Sequence, residues 1–447
     1  MLITVMKIQL PKNSAMLSTQ FTYGVATASF QIEGSADSRL TNIWDTFCKK
    51  TGTIIDQSDG LIACDHVNLW EQDIDLINSL NVDAYRLSIS WGRVMNRDAS
   101  LNEQGVNFYI KLLDKLNQLN IKVFVTLYHW DLPQYIEDNG GWLNRETAYL
   151  FRDYADKIST AFGNRVYSYA TLNEPFCSAY LGYEVGVHAP GIANAKAGRT
   201  AAHHLLLAHG LAMKVLQINS PDSLNGIVLN FTPCYANSED AADLAATKYA
   251  DDYMNQWYIK PILDGAYPDL LESLPIDVRP DIHDGDLDII SQPLDFLGVN
   301  YYTRLIYKAN EQDIFEQVPN DTALHTDIGW EIYPRGLTEL LTSLNMTYKL
   351  PPVYITENGA AMADKLTDGE VRDKDRINYY QDHLRAVNLA IEQGVDIRGY
   401  FAWSLMDNFE WAEGYLKRFG IVYVDYETQK RTIKSSGLAY RDLISNR

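Results

Sequence analysis

Short apolar runs recur along the chain with amphipathic stretches between them, the pattern of strands buried on both faces and alternating with helices. Eight runs stand out, over residues 23–28, 84–89, 123–128, 167–172, 226–229, 296–299, 353–356 and 397–403. Eight strand–helix units are the number that closes a barrel, so the pattern predicts an α/β fold, a single-domain (β/α)8 TIM barrel. Residues 146–161 have the spacing of one outer helix. A second helical stretch, AAHHLLLAHGLAMKVLQ, carries His203, His204 and His209. These lack the i, i+4 pairing of a helical metal site, so packing is their expected role. No low-complexity linker, shift of composition or repeat divides the chain. The economical division is an N-terminal extension over 1–16 and one barrel over 17–447.

Composition narrows the partners. A length of 447 residues suits one long barrel, and 46% hydrophobic with 21% charged residues excludes a disordered or fibrous chain. A net charge of -20 repels nucleic-acid phosphates and anionic membranes, so a neutral small molecule is the expected ligand. The opening MLITVMKIQLPKNSAML lacks the apolar core and cleavage site of a signal peptide, and no run of about 18 apolar residues follows, so a cytoplasmic location is expected. Cys48, Cys64, Cys177 and Cys234 have no C-x-x-C spacing and are expected as free thiols. DQSDG at 56–60 begins like a calcium loop, but Val67 stands where an EF-hand needs glutamate. The alternating charges of 372–376, RDKDR, predict a solvated helix start. Aromatic residues make up 12%, which suits either an aromatic core or a sugar site, because ring faces stack on the C–H faces of sugars.

The polar residues at the ends of the runs decide between these. Gln31 follows the first, Arg86 lies in the second, and His129 with Trp130 ends the third. Asn173 and Glu174 end the fourth, Asn300, Tyr301 and Tyr302 the sixth, Glu357 and Asn358 the seventh, and Trp403 the eighth. In a TIM barrel these C-terminal ends share one face, so the residues converge on one cup. Glu174 stands directly before Pro175, which gives the sheet no N–H, so it is expected on the lip of a strand at a stiffened turn. Two carboxylates in a sugar cup point to glycosidic cleavage, one protonated to give H⁺ to the leaving oxygen and one ionised. Glu174 is expected as the acid, its pKa raised toward about 6 to 7. Glu357, facing Arg86, is expected to be held anionic.

The chain resembles the family 1 glycoside hydrolases, most closely their bacterial β-glucosidases. The resemblance runs from about Phe21 to Tyr440 and is carried by FTYGVATASFQIEGS, YRLSISWGRV, VTLYHWDLPQ, TLNEP, DFLGVNYYT, YITENG and FAWSLMDNFEWAEGYLKRFGIVYVDYETQKRT. It implies a retaining enzyme without metal or organic cofactor. Glu174 is then the acid/base and Glu357 the nucleophile, supported by Arg86 and Tyr302. The sugar ligands are expected among Gln31, His129, Trp130, Asn173, Asn300, Tyr302, Trp403, Glu410 and Trp411. Trp330 matches a position that stacks the aglycone, and Cys177 one near the second subsite. Gly92 stands where the family usually has proline, and SADSRLTNIWDTF lacks a common glycine-rich loop; both are expected at the rim. The implied substrates are small β-glucosides and oligosaccharides, including cellobiose and aryl glucosides, with β-galactosides and β-fucosides as further candidates. No nucleic acid or membrane is implied, and either a monomer or a homo-oligomer fits. The alternatives are a 6-phospho-β-glucosidase, which the charge of Glu410 opposes, and a non-catalytic sugar-binding barrel, which the presence of both glutamates opposes.

Overall fold

The computed structural model of the chain describes residues 7–310 and 315–447; the first six residues of the expected extension lie outside it. Each of the eight apolar runs is a strand: β1 (Thr22–Ala26), β2 (Ala84–Ser88), β3 (Lys122–Tyr128), β4 (Ser168–Asn173), β5 (Leu224–Phe231), β6 (Phe296–Tyr301), β7 (Val353–Asn358) and β8 (Ile397–Trp403). All pair in parallel, and β1 meets both β2 and β8, which closes the barrel. The runs are continuous rather than alternating because helices cover the outside while side chains fill the inside. Most of the register is regular, but β4 shifts against β5 between Ala170 and Asn173, and β7 shifts against both neighbours after Ile355. Such irregularities re-aim side chains. These fall where Glu174 and Glu357 emerge.

Phe124, Phe296, Tyr354 and Phe401 fill the barrel interior among Ala26, Ala84 and Ala170. The rings of Phe124 and Phe401 lie 4.8 Å apart, and Gly24 makes room for Phe401, since a Cβ there would come within 2.4 Å of that ring. This plug gives the cup above it a floor. Outside, the helix Glu103–Gln118 buries Val106, Tyr109, Leu112, Leu113 and Leu116 on one face, and Asn102 caps it by accepting from Gln104 N at 3.2 Å. The helix expected over 146–161 runs Glu146–Phe162 and stops at Gly163, whose φ of 57° lies in the left-handed region.

The long helix Ala195–Asn219 buries His203, His204 and His209, each with its own partner: Tyr267 and Asp286, the Trp142 carbonyl, and Thr171. They pack rather than cluster. Among the described residues no group of His, Cys, Asp or Glu is placed to hold a metal, and no helix is long and apolar enough to cross a membrane. All four cysteines are free.

The solvated helix start expected at 372–376 is only half correct. Arg372, Lys374 and Asp375 are exposed, whereas Asp373 and Arg376 are buried, because the helix Lys374–Glu392 turns Arg376 onto the same inner face as Ile377 and Tyr380. There Arg376 pairs with Asp364 at 2.7 Å and with Asp373. Lys434 bridges Asp364 at 2.5 Å and Asp407 at 2.6 Å, and Arg418 reaches Asp407 at 2.6 Å. This buried cluster ties the loops after β7 and β8 to each other. Gly92 lies beneath residue 40, accepting from Leu40 N at 2.8 Å, and is buried rather than part of the cup wall.

Candidate active site

The strand ends converge on a cavity of about 520 Å³ whose lining includes His129, Trp130, Glu174, Asn300, Tyr302, Trp330, Glu357, Trp403, Glu410 and Trp411. Glu174 caps β4 and opens a helical turn in which Pro175 occupies the first position, where a missing N–H costs nothing. The expected lip is therefore a strand-to-helix junction. Its peptide N–H donates to Val228 O at 2.9 Å and its carbonyl accepts from Cys177 N at 2.9 Å. The backbone there is left-handed, with φ 47° at Glu174, and the same holds at Trp130 (φ 75°) and Trp411 (φ 49°). For residues with a Cβ this costs of order 1–3 kcal/mol each. Three cup residues are thus held where the chain alone would not put them.

The two carboxylates have different partners. Arg86 donates from one nitrogen to Glu357 Oε1 at 2.6 Å and from the other to Asn173 Oδ1 at 2.7 Å, while Tyr302 donates to Glu357 Oε2 at 2.6 Å. Glu174 has no cation bonded to it: Asn300 Nδ2 donates to Oε1 at 2.5 Å, and the Cys177 thiol faces Oε2 at 3.1 Å. Burial pushes the Glu174 carboxyl up to about 8, with the nearby Glu357 charge adding to the rise and Asn300, Cys177 and Arg86 opposing it. This exceeds the 6 to 7 expected from sequence. Burial raises Glu357 as well, against the pull of Arg86 and Tyr302, so the guanidinium alone does not hold it at ordinary acidity. Of the two, Glu174 keeps its proton to higher pH, because only Glu357 has a cation and a phenol on its oxygens.

Around them, Gln31 donates to Asn408 Oδ1 at 3.0 Å and Phe409 O at 2.9 Å, and its Oε1 has no protein partner. His129 Nε2 meets Asn173 Nδ2 at 3.1 Å and its Nδ1 is likewise unpartnered. Burial and then the Arg86 charge keep this imidazole neutral. Glu410 has an enclosed, unpartnered Oε2, and burial, followed by the charges of Glu357 and Glu174, raises its carboxyl to about 8. Two of these atoms, on His129 and Glu410, belong to residues that line the cavity and offer bonds there that the protein does not use, whereas Gln31 is not part of the lining.

Trp403 lies parallel to His129 with centroids 5.9 Å apart, and Trp411 packs on Trp130 at 4.5 Å. The Trp130 indole N–H is committed to Asn173 O at 2.9 Å. Trp330 is half-buried against Tyr302 and Phe419 toward the outer part, together with Phe176, Leu181 and Ile328. Among the described residues no Lys or Arg lines the cavity. Sequence reasoning missed the Cys177 bond to Glu174, the Asn408 support of Gln31, and Thr356, which donates to Asn300 Oδ1 at 2.7 Å. Thr356 has a faint signal, a hydroxyl at an interior position beside Glu357.

Residues 13–447 match the family model for glycosyl hydrolase family 1. The chain belongs to that family. Among family 1 relatives, a β-glucosidase of an Agrobacterium species is 44% identical over 97% of this chain and 96% of its own length. A bifunctional β-D-glucosidase/β-D-fucosidase of Bifidobacterium breve is 43% identical over 95% of this chain and 97% of its own. A Thermotoga maritima family 1 glycoside hydrolase, solved with a cyclophellitol analogue as a transition-state mimic, superposes with a TM-score of 0.93 at 42% identity, covering 96% of this chain and 98% of that one.

Proposed function

We propose that in this retaining β-glucosidase of family 1, Glu174 is the acid/base and Glu357 the nucleophile, acting on the terminal glucose of small β-glucosides. The observation that carries the assignment is the unequal partnering of the two carboxyls, with Arg86 and Tyr302 on Glu357 and no cation on Glu174. Glu357 attacks C1 while Glu174 gives its proton to the glycosidic oxygen, so the C1–O bond breaks and a glycosyl ester forms. Once Glu357 is an ester, its charge no longer raises the Glu174 pKa. Glu174 is then a carboxylate suited to take a proton from the water that attacks C1 and frees Glu357.

The unpartnered Oε1 of Gln31, Nδ1 of His129 and Oε2 of Glu410 suit hydroxyls of a glucose unit, with the Trp403 face beside the ring and Trp411 next to it. Asn300 is bound to Glu174 and Asn173 to Arg86, His129 and Asn300, and Trp130 contributes its ring. The half-buried Trp330 suits the aglycone. A β-fucoside fits the same reading, since that sugar keeps the C3 hydroxyl and carries its C4 hydroxyl axially, within reach of the same carboxyl, and a relative is named as a β-D-glucosidase/β-D-fucosidase. Phosphorylated sugars do not, for want of a cation on the cavity wall among the described residues. A cytoplasmic setting fits the four free thiols.

The test compares two leaving groups. Glu357→Ala abolishes turnover of every glucoside, whereas Glu174→Ala spares dinitrophenyl glucoside, whose leaving group needs no proton, in the glycosylation step. Equal proportional losses on dinitrophenyl and alkyl glucosides in both variants would refute the assignment.

A further inference from the structure

Asn300 has both ends of its amide engaged. Its Nδ2 donates to Glu174 Oε1 at 2.5 Å and to Asn173 Oδ1 at 3.1 Å, and its Oδ1 accepts from the Thr356 hydroxyl at 2.7 Å. All four side chains are buried. Asn173 Oδ1 is in turn held by Arg86, so a donor is required at that end of the amide, and Thr356 supplies a donor at the other. Turning the amide over would set its oxygen against Asn173 Oδ1 and leave the Thr356 hydroxyl without the acceptor it has.

The consequence falls on Glu174. An oxygen that already accepts a short bond from an amide N–H is a poor place for a proton, so Oε1 is the carbonyl-like oxygen and Oε2 carries the hydrogen. Oε2 faces Cys177 Sγ at 3.1 Å, a weak donor and weak acceptor that tolerates either state of the carboxyl. Cys177 and Asn300 both line the cup, so both oxygens of Glu174 stand at its wall and the amide bond decides which of them carries the hydrogen. Thr356 lies on β7 beside Glu357, one residue from the nucleophile and across the cup from the acid. We propose that Thr356 is a positioning residue which, through Asn300, fixes which oxygen of Glu174 holds the transferable proton. This inference rests on Glu174 being the acid/base.

Thr356→Val removes the hydroxyl and keeps the branched shape that the strand prefers. The groups facing Glu174 from the other elements stay in place: Glu357 on β7, Arg86 on β2, Tyr302 after β6, Glu410 after β8, and Cys177 in the turn after Glu174. With Asn300 Oδ1 unpartnered, the amide holds Oε1 less firmly and the carboxylate form loses support. The alkaline limb of kcat/KM therefore moves up by about half a pH unit, and turnover of alkyl glucosides falls by about tenfold, while dinitrophenyl glucoside loses less than about threefold. Thr356→Ser restores both. If the valine variant does not fold, Thr356→Cys, which loses the branch but keeps a weaker donor in place of the hydroxyl, moves the limb in the same direction by less.

A merely structural threonine would lower all substrates alike and leave the limb where it is. That result overturns the proposal. The underlying assignment is tested separately: if Glu174→Ala spares dinitrophenyl glucoside while Thr356→Val leaves the limb unmoved, the inference about Thr356 fails and the acid/base assignment stands.

Discussion

Replacing Lys434 by methionine tests the buried charges behind the cup. The substitution keeps an aliphatic stem and deletes an ammonium that lies 2.5 Å from Asp364 and 2.6 Å from Asp407, in a cluster where neither aspartate side chain is more than 2% exposed. Removing one partner from a buried ion pair costs about 3–5 kcal/mol, chiefly because the other charge is stranded. Here neither aspartate is left alone: Asp364 keeps Arg376, and Asp407 keeps Arg418 and the Gly420 N–H at 3.0 Å. The loss should therefore fall near the lower end, about 3 kcal/mol. With a urea m-value above about 3 kcal/mol/M, the unfolding midpoint drops by up to about 1 M.

The pH dependence has a definite sign. Burial would raise Asp364, but Arg376 and Lys434 together hold it below the usual carboxylate range. Its contribution is therefore present above the unfolded pKa and lost as pH falls through the folded one. The gap between wild type and variant should narrow in acid. Because Asp407 precedes the Asn408 that holds Gln31, KM for aryl glucosides should also rise more than kcat falls. A variant as stable as wild type at neutral pH, or more so, would refute the reasoning, since the cluster's desolvation would then outweigh its attraction.

Two further outcomes follow from the cup. Glu410→Ala should lower kcat/KM for p-nitrophenyl β-glucoside by about a hundredfold, since two sugar hydroxyls would be left unpaired in the closed cup at about 1–3 kcal/mol each; a loss under tenfold would remove Glu410 from the sugar's ligands. For an alkyl glucoside, kcat/KM should fall on the acid side as Glu357 takes up a proton and on the alkaline side above about pH 8 as Glu174 loses its own; an alkaline limb that persists in Glu174→Ala would assign it to another group.

The barrel was legible because a strand covered on both faces reads as a continuous apolar run, and because polar and aromatic residues gathered at or beside the ends of seven of the eight runs. Glu174 and Glu357 could be paired from their places on the fourth and seventh strands alone. What stayed hidden depends on which way a side chain turns. Arg376 sits among charges in sequence but on the inner face of its helix, and nothing in RDKDR distinguishes it from its exposed neighbours. Asn300 was grouped with sugar ligands, yet its two amide ends are used by residues from β4 and β7, a fact set by contacts 56 to 127 residues apart. The rise of Glu357 was missed for a similar reason: the pull of Arg86 is visible in sequence, whereas the depth of burial that exceeds it is a property of the closed cup.

The left-handed backbone at Glu174 bears on how such a chain changes over generations. Folding is served poorly at this position, because a residue with a Cβ is held in a conformation that glycine takes without cost, and its carboxyl is buried without a counter-ion. Chains freed from selection for turnover would thus drift at position 174 toward glycine or asparagine and gain stability by doing so. With Glu174 as the proposed acid/base, the glutamate serves turnover rather than folding. An inactive paralogue arising from such a chain would therefore be hard to tell from a healthy protein by its expression or melting behaviour, and position 174 is where the two would first part.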